Sequence, residues 1–164
     1  MIDLLAKPVV DLLGSFGSGM VPPGGPTEVI RASSSVLDSV QQIGRAAVSE
    51  LASSWSGPAA TAAIDLAERT HSSAVALSDH GSDIAAIVDR ACEKVHAGLL
   101  ELQAIVQSFL SVATAAAPML WTPAGQSMII AAAIEHLERA LAVVARVRAE
   151  LAAHAAEIGA FGTA

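Results

Sequence analysis

The sequence predicts an all-α fold, an elongated antiparallel helical bundle, and three observations carry the prediction. Apolar residues recur at three- and four-residue spacings over most of the chain, which is the period of an amphipathic helix and not of a strand. Hydrophobic residues make up 53% of the chain, with alanine dominant, and aromatic residues only 3%, a composition that favours closely packed helices over a sheet sandwich. Short corners containing glycine or proline separate the helical stretches, and short connections imply antiparallel neighbours.

The first 26 residues are predicted to form a short apolar helical segment and a linker. Residues 2–5 and 9–13 favour one or two helical turns, whereas residues 14–26 contain too many glycines and prolines for a helix. Thr27 is the predicted N-cap of the first long helix, because its hydroxyl can accept a hydrogen bond from a free backbone N–H. The helical bundle is predicted to span residues 27–158, with a tail at residues 159–164.

A corner is predicted at Trp55-Ser56-Gly57, which interrupts the helical period and is followed at once by Pro58. Glycine permits backbone turns that other residues resist, and proline suits the first turn of a helix. The indole of Trp55 is expected to pack between the two helices and close their end. The helix before this corner has its predicted apolar face at Val36, Val40, Ile43, Ala47, Leu51 and Trp55.

Helical spacing resumes after the corner and continues to about residue 117, with a kink or break expected at residues 79–83. A second corner follows at residues 118–123, where Thr122 can cap and Pro123 can take the first helical position. The last helix has the most regular apolar pattern: Ala131, Ile134, Leu137, Leu141, Val144, Leu151, Ala155 and Ile158. The bundle is expected to be held together by a face drawn from Val36, Ile43, Leu51, Ile84, Val95, Leu137 and Leu141.

Two long helices joined by Trp55-Ser56-Gly57 resemble the WXG100 proteins of type VII (ESX) secretion. The extended motif through Ala59, with a second corner further along, is similar to the helical domain of PPE proteins. The resemblance covers about residues 27–158, and the alanine-rich composition suits a high-GC actinobacterium. It implies a secreted or cell-envelope protein exported by a type VII route, either a substrate or the targeting domain of a larger protein.

Two features depart from that family. The Pro-Pro-Glu opening is absent, and the nearest sequence is Pro22-Pro23-Gly24. The family's export signal, Tyr-x-x-x-Asp/Glu, cannot occur in a chain without tyrosine. The signal would then lie on a partner or on a C-terminal extension, or be lost, and without type VII export the expected location is cytoplasmic.

Composition also argues against several classes of protein. A net charge of −7 with only 9 Lys and Arg residues disfavours a nucleic-acid-binding surface. A single cysteine, Cys92, excludes an internal disulfide. Asp3 stands where a signal peptide would carry a basic residue. Residues 102–134 carry no charge, but Pro118 and Pro123 divide them, so no transmembrane span is expected.

The sequence contains little catalytic chemistry. Glu93 and His96 have the spacing found in di-iron bundles, but no second Glu-x-x-His motif completes such a site. Cys92 and His96 lie four residues apart without a surrounding electropositive pocket, so Cys92 is expected to be a packed core thiol. Neither a nucleophile elbow nor a phosphate loop is present. We therefore expect no enzymatic activity, no cofactor and no bound metal.

Met119, Leu120 and Trp121 form the second corner and are the candidate partner-binding site. Three large apolar side chains at a corner are difficult to bury in the bundle behind them, and exposed apolar clusters often mark contact sites. The resemblance to PPE proteins implies that a secretion chaperone binds this end. A helical partner, a second copy or a membrane surface would also fit the residues, and the alternative is that residues 1–13 cover them.

Recognition by helix packing is therefore the predicted function. Two other functions are compatible with the sequence. The chain is either the N-terminal module of an exported hydrolase or toxin whose catalytic part lies beyond residue 164, or a cytosolic helical adaptor or chaperone without a secretion role.

Overall fold

A computed structural model of the chain describes residues 24–162 and six single positions before them, Lys7, Pro8, Val10, Asp11, Gly14 and Gly17. The described residues contain three long α-helices and no strand: α1 at Pro26–Ser54, α2 at Pro58–Ala116 and α3 at Pro123–Phe161. A short 3₁₀-helix, Ala117–Met119, lies between α2 and α3. The predicted all-α class is confirmed.

The helix ends differ from the prediction at both termini of the bundle. Helix α1 begins at Pro26 with Gly25 as its N-cap, and Thr27 is buried inside the first turn, so the predicted Thr27 cap is wrong. Proline is favoured at the first helical position because its fixed φ suits the helix and its missing N–H would have no partner there. Helix α3 continues past Gly159 to Phe161, where a tail was expected.

Helix α2 is continuous for 59 residues, so the break expected at residues 79–83 is wrong. The glycine in that segment has a packing role. A Cβ atom on Gly81 would lie 2.7 Å from the hydroxyl oxygen of Ser34 on α1. Gly81 therefore allows α1 and α2 to approach closely here.

The chain divides into two compact units. One, which we call the corner unit, comprises residues 21–89 and 158–164 and contains the Trp55-Ser56-Gly57 corner. The other, which we call the tip unit, comprises residues 1–20 and 90–157. It contains Met119-Leu120-Trp121, which we call the tip.

Polar contacts join α1 to α2 in the corner unit. Arg31 forms an ion pair with Asp89. The hydroxyl of Ser78 lies 2.8 Å from Oδ1 of Asp38 and 3.3 Å from the carbonyl oxygen of Ser34, whose own hydroxyl donates to the Ser78 carbonyl. Further along, the guanidinium of Arg45 contacts Nε2 of His71 at 2.6 Å.

The apolar face predicted for α1 is exposed, so the prediction that it forms the core is wrong. Ile43 is 70% exposed, and Val36, Val40, Ala47, Leu51 and Trp55 are exposed as well. Among the described residues of this unit, the buried apolar side chains are only Ala60, Ala85 and Ile87. The hydrogen bonds and the ion pair between α1 and α2 come from polar side chains of α1, and most of its predicted apolar stripe is left towards solvent.

The tip unit has an apolar core. One cluster joins Leu102 to Ala140, Val143, Val144 and Val147, with Val95, Ile105, Val106, Leu137 and Leu151 packed around it. A second cluster consists of Phe109, Ala113, Ala116 and Ile129, with Leu120 and Ala133 against it. Burial of these side chains is the dominant favourable term in forming this part of the fold.

The predicted faces of α2 and α3 meet this core unevenly. On α2 Leu102 and Phe109 are buried, and Val95, which was assigned to the core, packs against the cluster that contains Leu102. On α3 the predicted Val144 is buried and the predicted Leu137 and Leu151 pack against the core, beside the buried Ile129, Ala140, Val143 and Val147. Leu141 and Ile134 are at least half exposed, so their assignment to the apolar core is wrong. The buried face of α3 is thus rotated relative to the predicted heptad.

Ion pairs connect α2 and α3 at the surface of the tip unit. Arg90 lies 3.5 Å from Glu157, Lys94 lies 3.7 Å from Glu150, and Arg146 pairs with Glu101. The hydrogen bond and charge of Glu101 raise the pKa of Arg146. These pairs are exposed, and exposed ion pairs contribute little to stability.

Among the described residues, one helical stretch is long enough to cross a membrane. The stretch Pro58–Met119 is long and apolar enough to span a bilayer by length and composition, a test that core helices of soluble proteins also pass.

Candidate functional site

The tip is a turn held by its own backbone. The Thr122 N–H donates to the Met119 carbonyl at 2.9 Å, and the Leu120 N–H donates to the Ala117 carbonyl at 3.4 Å. The Thr122 hydroxyl accepts from the Gly125 N–H at 3.1 Å. This is the capping geometry expected for Thr122, and α3 begins at Pro123 as predicted.

Two further contacts fix the turn against the start of α3. The side-chain amide of Gln126 donates to the Leu120 carbonyl at 3.2 Å. The Cα of Gly125 lies so close to the turn that a Cβ there would stand 2.0 Å from the Met119 carbonyl oxygen. These contacts therefore fix the backbone conformation of the tip, and with it the positions of the Cβ atoms of its side chains.

The three tip side chains differ in exposure. Trp121 is 90% exposed and Met119 is 51% exposed. Leu120 is half-buried and packs against the cluster that contains Phe109 and Ile129. Leu120 therefore belongs in part to the core. Met119 and Trp121 remain as the exposed pair.

The charge-free part of the sequence surrounds the tip with further exposed apolar side chains. Met128, Ile130 and Ile134 on the first turns of α3 are each about half exposed. No charged residue occurs from Leu102 to Ile134. Residues 1–6, 12 and 13, which include Leu4, Leu5, Leu12 and Leu13, lie outside the described residues, so the alternative that they cover the tip is not tested.

The corner interrupts the helical backbone where expected, but the indole does not pack as predicted. Helix α1 ends at Ser54, Gly57 has a φ of +116°, and Pro58 is the first residue of α2. Trp55 caps α1 through its N–H, which donates to the Leu51 carbonyl at 2.9 Å. Its side chain is 43% exposed, so the expectation that the indole is buried between the helices is wrong.

The candidate chemical residues do not converge. Cys92 is a half-buried free thiol, and Glu93 and His96 are exposed. Within the part of the chain that the structure describes, no three His, Cys, Asp or Glu side chains are placed to hold a metal ion.

The tip unit also contains a buried histidine, His136, which its sequence position next to Glu135 does not indicate. His136 is only 5% exposed and makes an edge contact with Phe109. Its Nδ1 lies 2.7 Å from the Ala132 carbonyl, and its Nε2 lies 3.1 Å from the Ser108 hydroxyl. Both ring nitrogens therefore have partners, as burial requires.

Comparisons with family models, curated proteins and solved structures gave no match for this chain. The resemblance to WXG100 and PPE proteins therefore depends only on the motif residues of this chain, chiefly Trp55, Gly57 and the second corner.

Proposed function

We propose that this chain is a non-enzymatic helical protein that recognises a partner by packing, as a type VII secretion substrate or targeting domain. The observation that carries the proposal is Trp121, which is 90% exposed on a firmly anchored turn. A large aromatic side chain in that position is a frequent anchor of protein interfaces.

Two series of contacts support antiparallel pairing, one of α1 with α2 and the other of α2 with α3. In the corner unit the paired positions are Arg31 with Asp89, Ser34 with Ser78, and Arg45 with His71. In the tip unit they are Arg90 with Glu157, Glu101 with Arg146, and Ser108 with His136. In both series the sequence separation falls towards a corner, as in a helical hairpin.

The energetics favour a contact at the tip. Burying a large apolar side chain gains about 1.5–3 kcal/mol, and Met119 and Trp121 have not realised that gain. The surrounding charge-free sequence supplies no nearby charge that would have to be desolvated. We propose a secretion chaperone as the partner at this surface, in agreement with the resemblance to PPE proteins.

A double substitution tests the contact. Met119→Asp with Trp121→Asp should abolish co-purification of the proposed chaperone with this chain from its own cells, while helicity and melting temperature stay close to those of the parent. Leu120 is left unchanged because it packs into the core. Leu100→Asp is the matched control, since Leu100 is a half-exposed apolar residue of the same unit outside the tip. Association should survive in the control.

Export is tested separately. Mass spectrometry of the secreted fraction should detect the chain when the type VII system functions and not when it is inactivated. Detection in neither strain would contradict the secretion role and favour a cytosolic adaptor. Detection in both would indicate another export route.

A further inference from the structure

The corner unit contains a large groove that the proposed function does not use. It lies between residues 37–52 of α1 and residues 63–74 of α2, is open to solvent on one side and has a volume of about 820 Å³. Small-molecule sites in proteins commonly enclose about 300–1,000 Å³. The groove is therefore large enough for a ligand, and it lies entirely within one compact unit.

The wall of the groove is not uniform. Between the Arg45–His71 contact and the corner it is mainly apolar and is formed by Val48, Ala52, Ala63, Ile64, Leu66 and Ala67. Its polar residues are Ser49, Glu68 and Thr70. Trp55 follows at the corner itself. From Arg45 to Trp55 the helix rises about 15 Å at 1.5 Å per residue. This half of the groove therefore suits an extended aliphatic chain of medium length.

Hydrogen-bond donors stand at the other end of that apolar stretch. Arg45 is bonded to Nε2 of His71 through two of its nitrogens, at 3.2 and 2.6 Å. No carboxylate among the described residues forms an ion pair with Arg45, whereas Arg31 on the same helix pairs with Asp89. Guanidinium groups favour carboxylates as partners because the two planar groups match.

A second donor lies one turn earlier in the same wall. The Nε2 atom of Gln41 is buried and has no hydrogen-bond partner. A buried amide N–H without a partner is unfavourable, and a rotation of this amide towards an acceptor at Arg45 would satisfy it. Glu68 is the single acidic residue of the wall, and it is exposed.

We propose that this groove binds a medium-chain fatty acid. The carboxylate lies at Arg45 and His71, and the aliphatic chain extends along Val48 and Ile64 towards Trp55. No covalent step is involved. The proposal is independent of the tip, because the groove and the tip belong to different units.

Laurate binding to the full chain tests the proposal. The protein contains two tryptophans, so Trp121→Phe leaves Trp55, three residues beyond Ala52 of the groove wall, as the single tryptophan reporter. Laurate, kept below its micellar concentration, should shift the Trp55 emission and saturate at one equivalent. Isothermal titration calorimetry on the parent chain should give the same stoichiometry.

Recognition of the carboxylate is tested by changing first the protein and then the ligand. Arg45→Gln should weaken laurate binding about ten- to a hundredfold, the loss expected for a hydrogen bond to a charged group. Dodecanol, with the same chain and no charge, should bind the parent more weakly by a similar factor. Arg69→Gln is the matched control, because Arg69 lies on α2 outside the groove wall, and it should leave affinity unchanged. Glu68→Gln should tighten binding.

Chain length separates a defined site from unspecific partition. From octanoate to laurate, each added methylene should strengthen binding about fourfold. Palmitate should gain little more, because its chain exceeds the apolar half of the groove. A continued rise to palmitate, equal binding of dodecanol and laurate, or no effect of Arg45→Gln would each overturn the proposal.

Discussion

Helix α2 takes part in two helix contacts of opposite character. In the corner unit it meets α1 through serine, aspartate, arginine and histidine, and the apolar stripe of α1 is exposed. In the tip unit it meets α3 through an apolar core in which Leu102 and Ile129 are fully buried. Both partners of α2 have apolar residues at helical spacing, so the spacing alone does not determine which face is buried.

The polar residues of α1 account for the difference. Ser34 and Ser78 exchange hydrogen bonds with each other's carbonyls, and Gly81 lets the helices approach closely at that point. Hydrogen bonds contribute modestly to net stability, whereas burial of large apolar side chains contributes more. We therefore expect the tip unit to carry most of the stability and the corner unit to open more easily.

The largest expected effect contrasts the two contacts directly. Leu102→Ala should lower the free energy of unfolding by about 2–5 kcal/mol, because Leu102 is 0% exposed and a cavity would remain. Ile43→Ala should change it by no more than about 0.5 kcal/mol, because Ile43 is 70% exposed and alanine favours helix. Urea unfolding followed by circular dichroism gives both values.

Hydrogen exchange sharpens the same comparison, because two units need not unfold together. Amides at residues 129–147 should be protected longer than those at residues 34–52. If Ile43→Ala destabilises as much as Leu102→Ala, the apolar stripe of α1 is covered in solution, and the contrast between the two contacts fails.

A smaller effect is expected at the corner. Gly57 has a φ of +116°, which other residues adopt only with strain, so Gly57→Ala should destabilise the chain by about 1–3 kcal/mol. Gly159→Ala is the control, because Gly159 lies inside α3 with open space around its Cα. That change should stabilise by up to about 1 kcal/mol. Thermal melts of the two variants should move in opposite directions.

The helices and the corners could be predicted because their signals are local. Proline at the first helical position, glycine in the corner and a capping Thr122 act on neighbouring backbone groups, and the described structure has α2 and α3 beginning at Pro58 and Pro123. The Thr27 cap failed because Pro26 competes locally for the helix start. The break at residues 79–83 failed because Gly81 serves a contact with Ser34, which lies far away in sequence.

The candidate site could be predicted only in part for the same reason. The exposure of Trp121 could be predicted because a short corner cannot bury three large apolar side chains in the bundle behind it. The packing of Leu120 against Phe109, and the burial of His136 beside Ser108, depend on how α3 is rotated against α2. The spacing of apolar residues in the sequence does not define the rotation of α3 about its axis to better than one residue position. A rotation by one position places Ala140 in the core where Leu141 was predicted.

The smallest expected effect concerns the exposed ion pairs that border the apolar contact of the tip unit. A hydrogen bond from His154, followed by the charge of Arg90, lowers the pKa of Glu157 in the folded chain. A lowered folded-state pKa means that the stabilisation is complete above the ordinary glutamate pKa of about 4.3 and is lost as the pH falls through the folded value. The melting temperatures of the parent and Glu157→Gln should therefore differ slightly at neutral pH and converge in acid. High salt should reduce the difference, because an exposed pair is screened. A difference that persists unchanged into acid would show that Glu157 acts through packing and not through its charge.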